Sequence, residues 1–311
     1  MNVLNVRILL AAYNGQKFLA EQLDSLLQQD YPHIQIIVSD DGSSDTTASI
    51  LESYASAHPE KIIHYRSGRR FGSAQRHFMH LLRTFYDTPY LMFCDQDDVW
   101  HPDKVSKTLH LMQQSESDSV PCLIHTDLRV VNGQLEPISD SFCAHSGING
   151  HRLSLNQLLV QNVVTGCTVM INRPLAELAC RESSDEDMLM HDWWLALLAS
   201  CCGKIRFLEE ATIDYRQHGS NAVGAKNVHS PAYLLNRLRS NSMRKALKKT
   251  ATQAKAFRET FCDRLSKSQL ELLDAFITTK DANIFKRDYL YLKYKLLKSG
   301  LIRKFAQLLG L

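Results

Sequence analysis

Asp95-Gln96-Asp97-Asp98 places three carboxylates within four residues, directly after the apolar run Tyr90–Cys94. Carboxylates this close repel one another unless protons or a cation offset the charge. Hard oxygen ligands at the end of a strand suit Mg²⁺ or Mn²⁺, completed by phosphate oxygens and water. Such a cation neutralises charge developing on a departing diphosphate. Helix capping ahead of His101-Pro102-Asp103 would account for one of these acids but not for three.

Other clusters have chemistry of the same kind. Asp40-Asp41-Gly42-Ser43 follows a second apolar run, where a carboxylate can accept from a ribose hydroxyl or a base N–H. A turn with an N-cap from Ser43, Ser44 or Asp45 is the competing explanation. Ala12 and Tyr13 end the first apolar run and are candidate nucleotide-binding positions, with the Tyr13 ring offering a face to a nucleobase. Arg69, Arg70 and Arg76, around Gly72-Ser73, suit a nucleotide phosphate and equally suit solvent.

Further along, Gly166 in Thr165-Gly166-Cys167 would let an acceptor sugar approach the backbone. His191-Asp192-Trp193-Trp194 sets a carboxylate beside two indoles. An apolar pocket there would raise the Asp192 pKa into a range useful for a general base, and Trp193 would face a sugar ring. Tyr215-Arg216-Gln217-His218-Gly219-Ser220-Asn221 supplies Arg216 for a diphosphate, and His218 for a diphosphate or as a late metal ligand.

The elements that must position these groups follow from periodicity. Val6–Ala12 reads as a buried parallel strand. Leu19, Leu23, Leu26 and Leu27 predict an amphipathic helix over about residues 16–29. Strands are expected at 34–38, 62–65 and 90–94, and later at 123–131, 165–172 and 205–215, with a helix near 187–200. Strand, helix, strand, helix, strand implies a mostly parallel α/β sheet with helices on both faces, in which ligands bind beyond the carboxyl ends of the strands. Tyr13-Asn14, Asp40-Asp41 and the Asp95–Asp98 cluster would then converge on one rim. Beyond about residue 228 only helical spacing remains.

The net charge of +3 over 311 residues conceals an asymmetry: residues 225–311 hold 19 Lys and Arg against 6 Asp and Glu, while 1–224 carry a net −10. An acidic first part suits a cation. A basic tail suits an anionic surface, such as phospholipid headgroups or a lipid-linked diphosphate, or simply solvates helices. Eight cysteines without paired CxxC spacing argue against a zinc site and for reduced core thiols. No signal-peptide pattern precedes Val6, and no apolar run nears the roughly 18 residues of a membrane span. The expectation is a cytoplasmic chain whose basic tail contacts the inner face of the membrane peripherally.

Ile8-Leu9-Leu10-Ala11-Ala12-Tyr13-Asn14-Gly15, the Leu23–Gln29 segment, and Ile37-Val38-Ser39-Asp40-Asp41-Gly42-Ser43-Ser44-Asp45-Thr46 together resemble the opening of a family 2 glycosyltransferase of GT-A fold. Phe93-Cys94-Asp95-Gln96-Asp97-Asp98-Val99-Trp100 resembles that family's DxD element, in a form similar to its bacterial rhamnosyltransferase-like branch. Residues 215–221 resemble the same branch's closing motif. The resemblance covers about residues 5–222 and does not extend to the helical tail.

It implies a GT-A catalytic domain over 1–224, with a Rossmann-like mixed sheet, followed by a basic helical region over 225–311. It also implies that Tyr13 and Asp41 contact the nucleobase, Asp95 the ribose and Asp97 the metal, with Asp192 as base; His191 stands where an acidic neighbour is usual. The implied reaction is inverting, metal-dependent transfer of one sugar from a nucleotide-sugar donor (dTDP-rhamnose or a UDP-hexose) to a glycan acceptor carried on a lipid, in O-antigen or capsule synthesis. The Gln-x-x-Arg-Trp element of processive synthases is absent. A nucleotidyltransferase making nucleotide sugars is one rival, although Tyr13-Asn14-Gly15-Gln16 replaces the Gly-rich basic loop such enzymes carry. A non-catalytic glycan- or nucleotide-binding module is the other. Nucleic acid is not an expected partner.

Overall fold

The computed structural model describes residues 5–181, 185–218 and 242–309. Nine strands form one sheet: β1 (Val6–Ala12), β2 (Ile34–Asp40), β3 (Ile62–His64), β4 (Tyr90–Cys94), β5 (Val99–Trp100), β6 (Cys122–Val131), β7 (Pro137–Ser139), β8 (Met170–Asn172) and β9 (Lys204–Arg216). Their order is β3-β2-β1-β4-β8-β6-β9-β5, with β7 on β6. The four strands β3, β2, β1 and β4 run parallel, β8 enters antiparallel between β4 and β6, and β6 and β9 are parallel.

The helices are α1 (Leu19–Leu27), α2 (Thr47–Ala57), α3 (Ala74–Phe85), α4 (Lys104–Ser115), α5 (Phe142–His145), α6 (Leu155–Val160), α7 (Arg173–Ala179), α8 (His191–Cys202), α9 (Ser242–Phe261), α10 (Lys267–Thr278), α11 (Ile284–Lys293) and α12 (Leu301–Leu309). Among the described residues no helix is long and apolar enough to cross a membrane.

Parallel strands are apolar on both faces because helices cover both, and the two faces divide by the period of two. Leu9, Ile37, Leu91 and Phe93 face one core, shared with α3, α6, α7 and α8. Ile8, Leu10, Ile36, Val38, Met92 and Cys94 face the other, with Leu19, Leu23, Leu51, Val105 and Met112 from α1, α2 and α4.

Two expectations need correction. Residues 165–172 are not one strand: Gly166–Thr168 is a 3₁₀ turn, and only Met170–Asn172 pairs in the sheet. The Thr168 hydroxyl donates to the Thr165 carbonyl (2.7 Å) and closes the turn, so the β-branched residues there do not extend. The helix expected over 187–200 begins at His191, because Met190 is extended and precedes it as N-cap.

The C-terminal helices join the first core. Phe257 and Phe261 of α9 pack on Trp194 of α8, with ring centroids 5.2 and 5.9 Å away. Leu273, Phe276, Tyr291, Leu296 and Ala306 extend the same cluster. The boundary expected between 224 and 225 lies outside the described residues.

Phe257 is fully buried, so Phe257→Ala should cost about 3–5 kcal/mol. Denaturant titration of the full chain should show one cooperative transition, shifted to a lower midpoint.

Candidate active site

The acidic loop is pinned at both ends. It leaves β4 at Cys94 and enters β5, which pairs with β9 through Val99 and Asp214. Arg216, at the end of β9, is the clamp, and its side chain is 2% exposed. Its backbone N–H donates to Asp98 Oδ1 (3.1 Å), Nε to the Asp97 carbonyl (3.0 Å) and Nη1 to the Gly133 carbonyl (2.8 Å). Nη2 pairs with Glu21 of α1, and the guanidinium lies 4.3 Å from the Phe18 ring centroid.

The four acids of the site differ in surroundings. Asp98 is fully buried, and burial beside Asp97 and Asp95 raises its pKa well above the ordinary value. Asp97 is half-buried, and its Oδ2 lies 2.8 Å from His218 Nε2. The His218 ring packs 5.0 Å from that of Phe18. Asp95 is half-buried; desolvation first, then the charges of Asp97 and Asp192, push it up to about 7. Asp192 occupies the first turn of α8, where the helix dipole favours an anion. Its Oδ1 accepts from the Trp193 N–H (2.5 Å) and from Asn162 Nδ2 (3.1 Å), and the Gly166 backbone also bonds to it. Burial outweighs these bonds and raises it to about 7.

Asp95, Asp97 and Asp192 therefore share one electrostatic environment. Among the described residues no Lys or Arg forms a salt bridge with Asp95, Asp97 or Asp98; the ion-pair partner of Asp97 is His218. Uncompensated carboxylate oxygens beside an imidazole fit a hard divalent cation. A second grouping, Asp95, Asp98 and Cys167, has its ligand atoms within 4.8 Å of one another. Burial holds the Cys167 thiol well above its ordinary pKa, and a soft sulfur is a poorer match than carboxylate oxygen for Mg²⁺ or Mn²⁺. Lys104, also fully buried, is drawn down to about 8 by desolvation. It lies 4.6 Å from the Trp100 ring centroid and donates to Thr212 (3.4 Å).

The neighbouring strand ends are stitched to this loop. Gln96 bonds both backbone groups of Tyr13: Tyr13 N–H donates to Gln96 Oε1 (2.7 Å), and Gln96 Nε2 donates to the Tyr13 carbonyl (3.0 Å). A Cβ at Gly15 would lie 2.4 Å from Gln96 Oε1, so glycine is needed for that approach. Tyr13 is 44% exposed. Arg70 covers its ring at 4.9 Å and donates to its hydroxyl (2.5 Å).

Asp41, buried, takes the Phe71 N–H on Oδ1 and the Gly72 N–H on Oδ2 (2.8 Å), while its own N–H donates to the Ala12 carbonyl (2.8 Å). Its carboxylate thereby holds the 66–73 loop over the end of β1. Asp40 accepts from both the N–H and the hydroxyl of Ser43, and Asp45 takes the Thr47 N–H at the start of α2.

Gly166 sits against His191 and Asp192. A Cβ there would lie 2.8 Å from His191 Nε2 and 3.6 Å from Asp192 Oδ2. His191 itself is buried between Phe78 and Phe93, with centroids at 4.4 and 5.0 Å, as a neutral ring. Trp193 is half-buried and donates its indole N–H to the Leu158 carbonyl (2.7 Å).

Two expected roles change, those of Asp41 and Arg216: both carboxylate oxygens of Asp41, expected at a nucleobase, are taken by the Phe71 and Gly72 N–H groups. Arg216 does not present itself to a diphosphate, because its guanidinium is buried and bonded to Asp97, Gly133 and Glu21. Arg76 keeps an exposed side chain at the start of α3, while its backbone N–H donates to the Ser73 cap; of the three arginines it is Arg70 that reaches Tyr13. Gln96, Asn162 and Lys104 were not marked by the sequence. A glutamine between aspartates reads as a spacer, and a lone asparagine or lysine has no spacing signature. Residues 219–221 of the closing motif lie outside the described residues.

A family model described as Glycosyl transferase family 2 matches residues 7–177. The dTDP-rhamnosyl transferase RfbG of Shigella flexneri is 27% identical over 226 residues, covering 70% of this chain and 74% of the relative. Among solved structures, S. aureus TarS 1–349 matches with a TM-score of 0.58 at 16% identity, over 89% of this chain and 71% of that one. The mannosyltransferase PcManGT of Pyrobaculum calidifontis, in complex with GDP-Man and Mn²⁺, matches with a TM-score of 0.55 at 14% identity, over 94% and 74%. At these identities the two structures establish the shared GT-A architecture.

The Asp192 environment has a measurable signature. A carboxyl with a pKa near 7 in the fold and near 4 in the unfolded chain loses stability as pH rises between those values, and no more above 7. Asp192→Asn should therefore melt higher than wild type, by an amount that grows from pH 4 to 7 and then levels off, on the order of 2–4 kcal/mol. Equal melting curves at pH 5 and pH 8 would contradict the assigned environment.

Proposed function

Since this chain belongs to glycosyl transferase family 2, we propose that it is an inverting glycosyltransferase in which Asp192 takes the proton from the acceptor hydroxyl. The nucleotidyltransferase and non-catalytic readings give way to that family membership, and a nucleotide sugar is the donor class. The observation that carries the reading is Asp192: a buried carboxylate poised near neutrality, electrostatically coupled to Asp95 at the rim where β1, β2 and β4 end.

The step balances as a single displacement. The acceptor oxygen forms a bond to the anomeric carbon as the bond from that carbon to the diphosphate oxygen breaks. The acceptor proton passes to Asp192, and the nucleoside diphosphate leaves with the bonding pair. Asn162, Trp193 N–H and Gly166 aim the carboxylate and leave it ionisable at neutral pH. Asp97 and His218 are the residues that would hold Mg²⁺ or Mn²⁺, which when bound supplies positive charge against the leaving diphosphate. Tyr13, backed by Arg70, presents an aromatic face to the base, and Asp95 accepts from the ribose. Asp41 acts by holding the Phe71-Gly72 backbone beside Ala12. Gly166 and Trp193 border the base on the acceptor side.

The similarity to a dTDP-rhamnosyl transferase supports dTDP-rhamnose as donor, with a UDP-hexose as the alternative. It also supports a role in bacterial surface polysaccharide synthesis, adding one sugar to a lipid-linked glycan at the cytoplasmic side of the membrane. The catalytic unit comprises 1–224 and the basic helical region 225–311.

In a thermal-shift screen with Mn²⁺, dTDP and dTDP-rhamnose should raise the melting temperature more than GDP or GDP-mannose. Asp192→Asn should lower kcat by about 10²–10⁴-fold while donor affinity stays within about twofold. The wild-type kcat should rise with pH to a plateau above about 7, because the base must be ionised. Asp97→Ala should lose Mn²⁺-dependent nucleotide binding in a calorimetric titration; an unchanged titration would remove Asp97 from the metal site.

A further inference from the structure

α11 and α12 bury Tyr291 and Ala306 against the core, yet they also carry a second, outward set of apolar side chains. A surface helix normally turns its apolar stripe inward and its polar face to water. Here part of the inward side is polar. Arg303 donates to the carbonyls of Gly147 (2.6 Å) and Ser146 (2.5 Å). Gln307 is fully buried, accepts from the Lys298 N–H (3.0 Å) and donates to the Leu296 carbonyl (2.7 Å). Arg287 reaches across from α11 to the Leu308 carbonyl of α12 (2.6 Å).

The second apolar set points out. Ile284, Phe285, Tyr289 and Leu292 on α11, and Leu301, Ile302, Phe305 and Leu309 on α12, are all exposed, Phe285 at 85% and Leu301 at 72%. They are eight of the twelve exposed large apolar side chains among the described residues, gathered on two short helices. Concentration of this kind marks a surface that is covered in use.

Charge selects what covers it. Residues 284–309 hold seven Lys and Arg against one Asp. Lys286, Lys293 and Lys295 are exposed on and beside the same helices. Arg244, Lys248, Lys280 and Arg287 line a cleft between them and the neighbouring helices. A second copy would bring the same positive charge against this one. An anionic bilayer accepts both features: the apolar side chains enter the acyl boundary, and the lysines extend to the headgroup phosphates.

We propose that the outward faces of α11 and α12 form an interfacial anchor that lies in the surface of an anionic bilayer. The notion of a basic tail attracted by charge alone is thereby replaced by insertion of a defined apolar face, with the lysines selecting the lipid.

The test is flotation of the full chain with vesicles of phosphatidylcholine alone and of phosphatidylcholine mixed with phosphatidylglycerol, without nucleotide sugar, so that its result stands apart from the glycosyl-transfer reading. The wild type should float with the mixed vesicles and stay largely in solution with the neutral ones. Phe285→Ser/Leu292→Ser/Phe305→Ser should weaken binding to mixed vesicles by about tenfold or more with an unchanged melting temperature, since these side chains are already in water. Lys286→Gln/Lys293→Gln/Lys295→Gln should abolish the preference for the anionic lipid. The proposal fails if the wild type binds neither vesicle. It fails if the apolar variant floats as well as wild type. It also fails if sedimentation shows a dimer that the apolar substitutions disperse while vesicle binding is absent.

Discussion

Burying a carboxylate without a basic partner is among the more costly things a fold can do, and this one does it repeatedly at a single edge. Asp95, Asp98 and Asp192 are all pushed toward protonation by the loss of water. Each is held differently. Asp98 is tied to the backbone of Arg216 and lies near the buried Lys104 ammonium, so it serves the architecture. Asp192 has three donors and a helix N-terminus, enough to orient it but not enough to fix it as an anion. Asp95 and Asp97 are half-buried in the loop, and among the described residues the ion-pair partner of Asp97 is His218. The gradient, from fully engaged to less fully opposed, runs outward along the acidic loop.

Arg216 converts this electrostatic arrangement into a mechanical one. One buried side chain joins the end of β9 to the acidic loop, to α1 through Glu21 and to the turn at Gly133. A guanidinium is suited to this because its donors are planar and always charged, so several carbonyls and a carboxylate can be satisfied at fixed angles. The motif that contains Arg216 thus divides its labour: the arginine braces the loop from beneath, and His218, two residues on, meets Asp97 from above.

The strands and their order of use were legible because parallel strands covered on both sides must be apolar throughout. Val6–Ala12 and Tyr90–Cys94 fall where the pattern places them. The convergence of Tyr13, Asp41 and Asp95 followed from topology alone, since parallel strands bring their carboxyl ends to one rim; the register pairs Ala12 with Asp40 and Leu10 with Cys94. What periodicity could not show was direction of engagement. An arginine in a run of polar residues reads as a ligand, and only packing against Phe18 and three oxygens reveals a brace. Residues 165–172 carry Thr and Val in strand-like density, yet the Thr168 hydroxyl and the close approach of Gly166 to His191 bend them into a turn. In the C-terminal region helical spacing was plain, but which face met the core was not, because α11 and α12 carry apolar side chains on both their buried and their exposed sides.

α8 links the site to the remainder of the chain in a way that bears on engineering. Its first turn carries Asp192, and two residues later Trp194 is wedged against Phe257 and Phe261. The final helices are therefore part of the wall that backs the helix carrying Asp192. Trimming the chain after the sheet, as though the remainder were a dispensable handle, would strip that wall from the back of Trp194. Such a fragment would keep every side chain of the cleft yet lose the backing that sets the carboxylate's position.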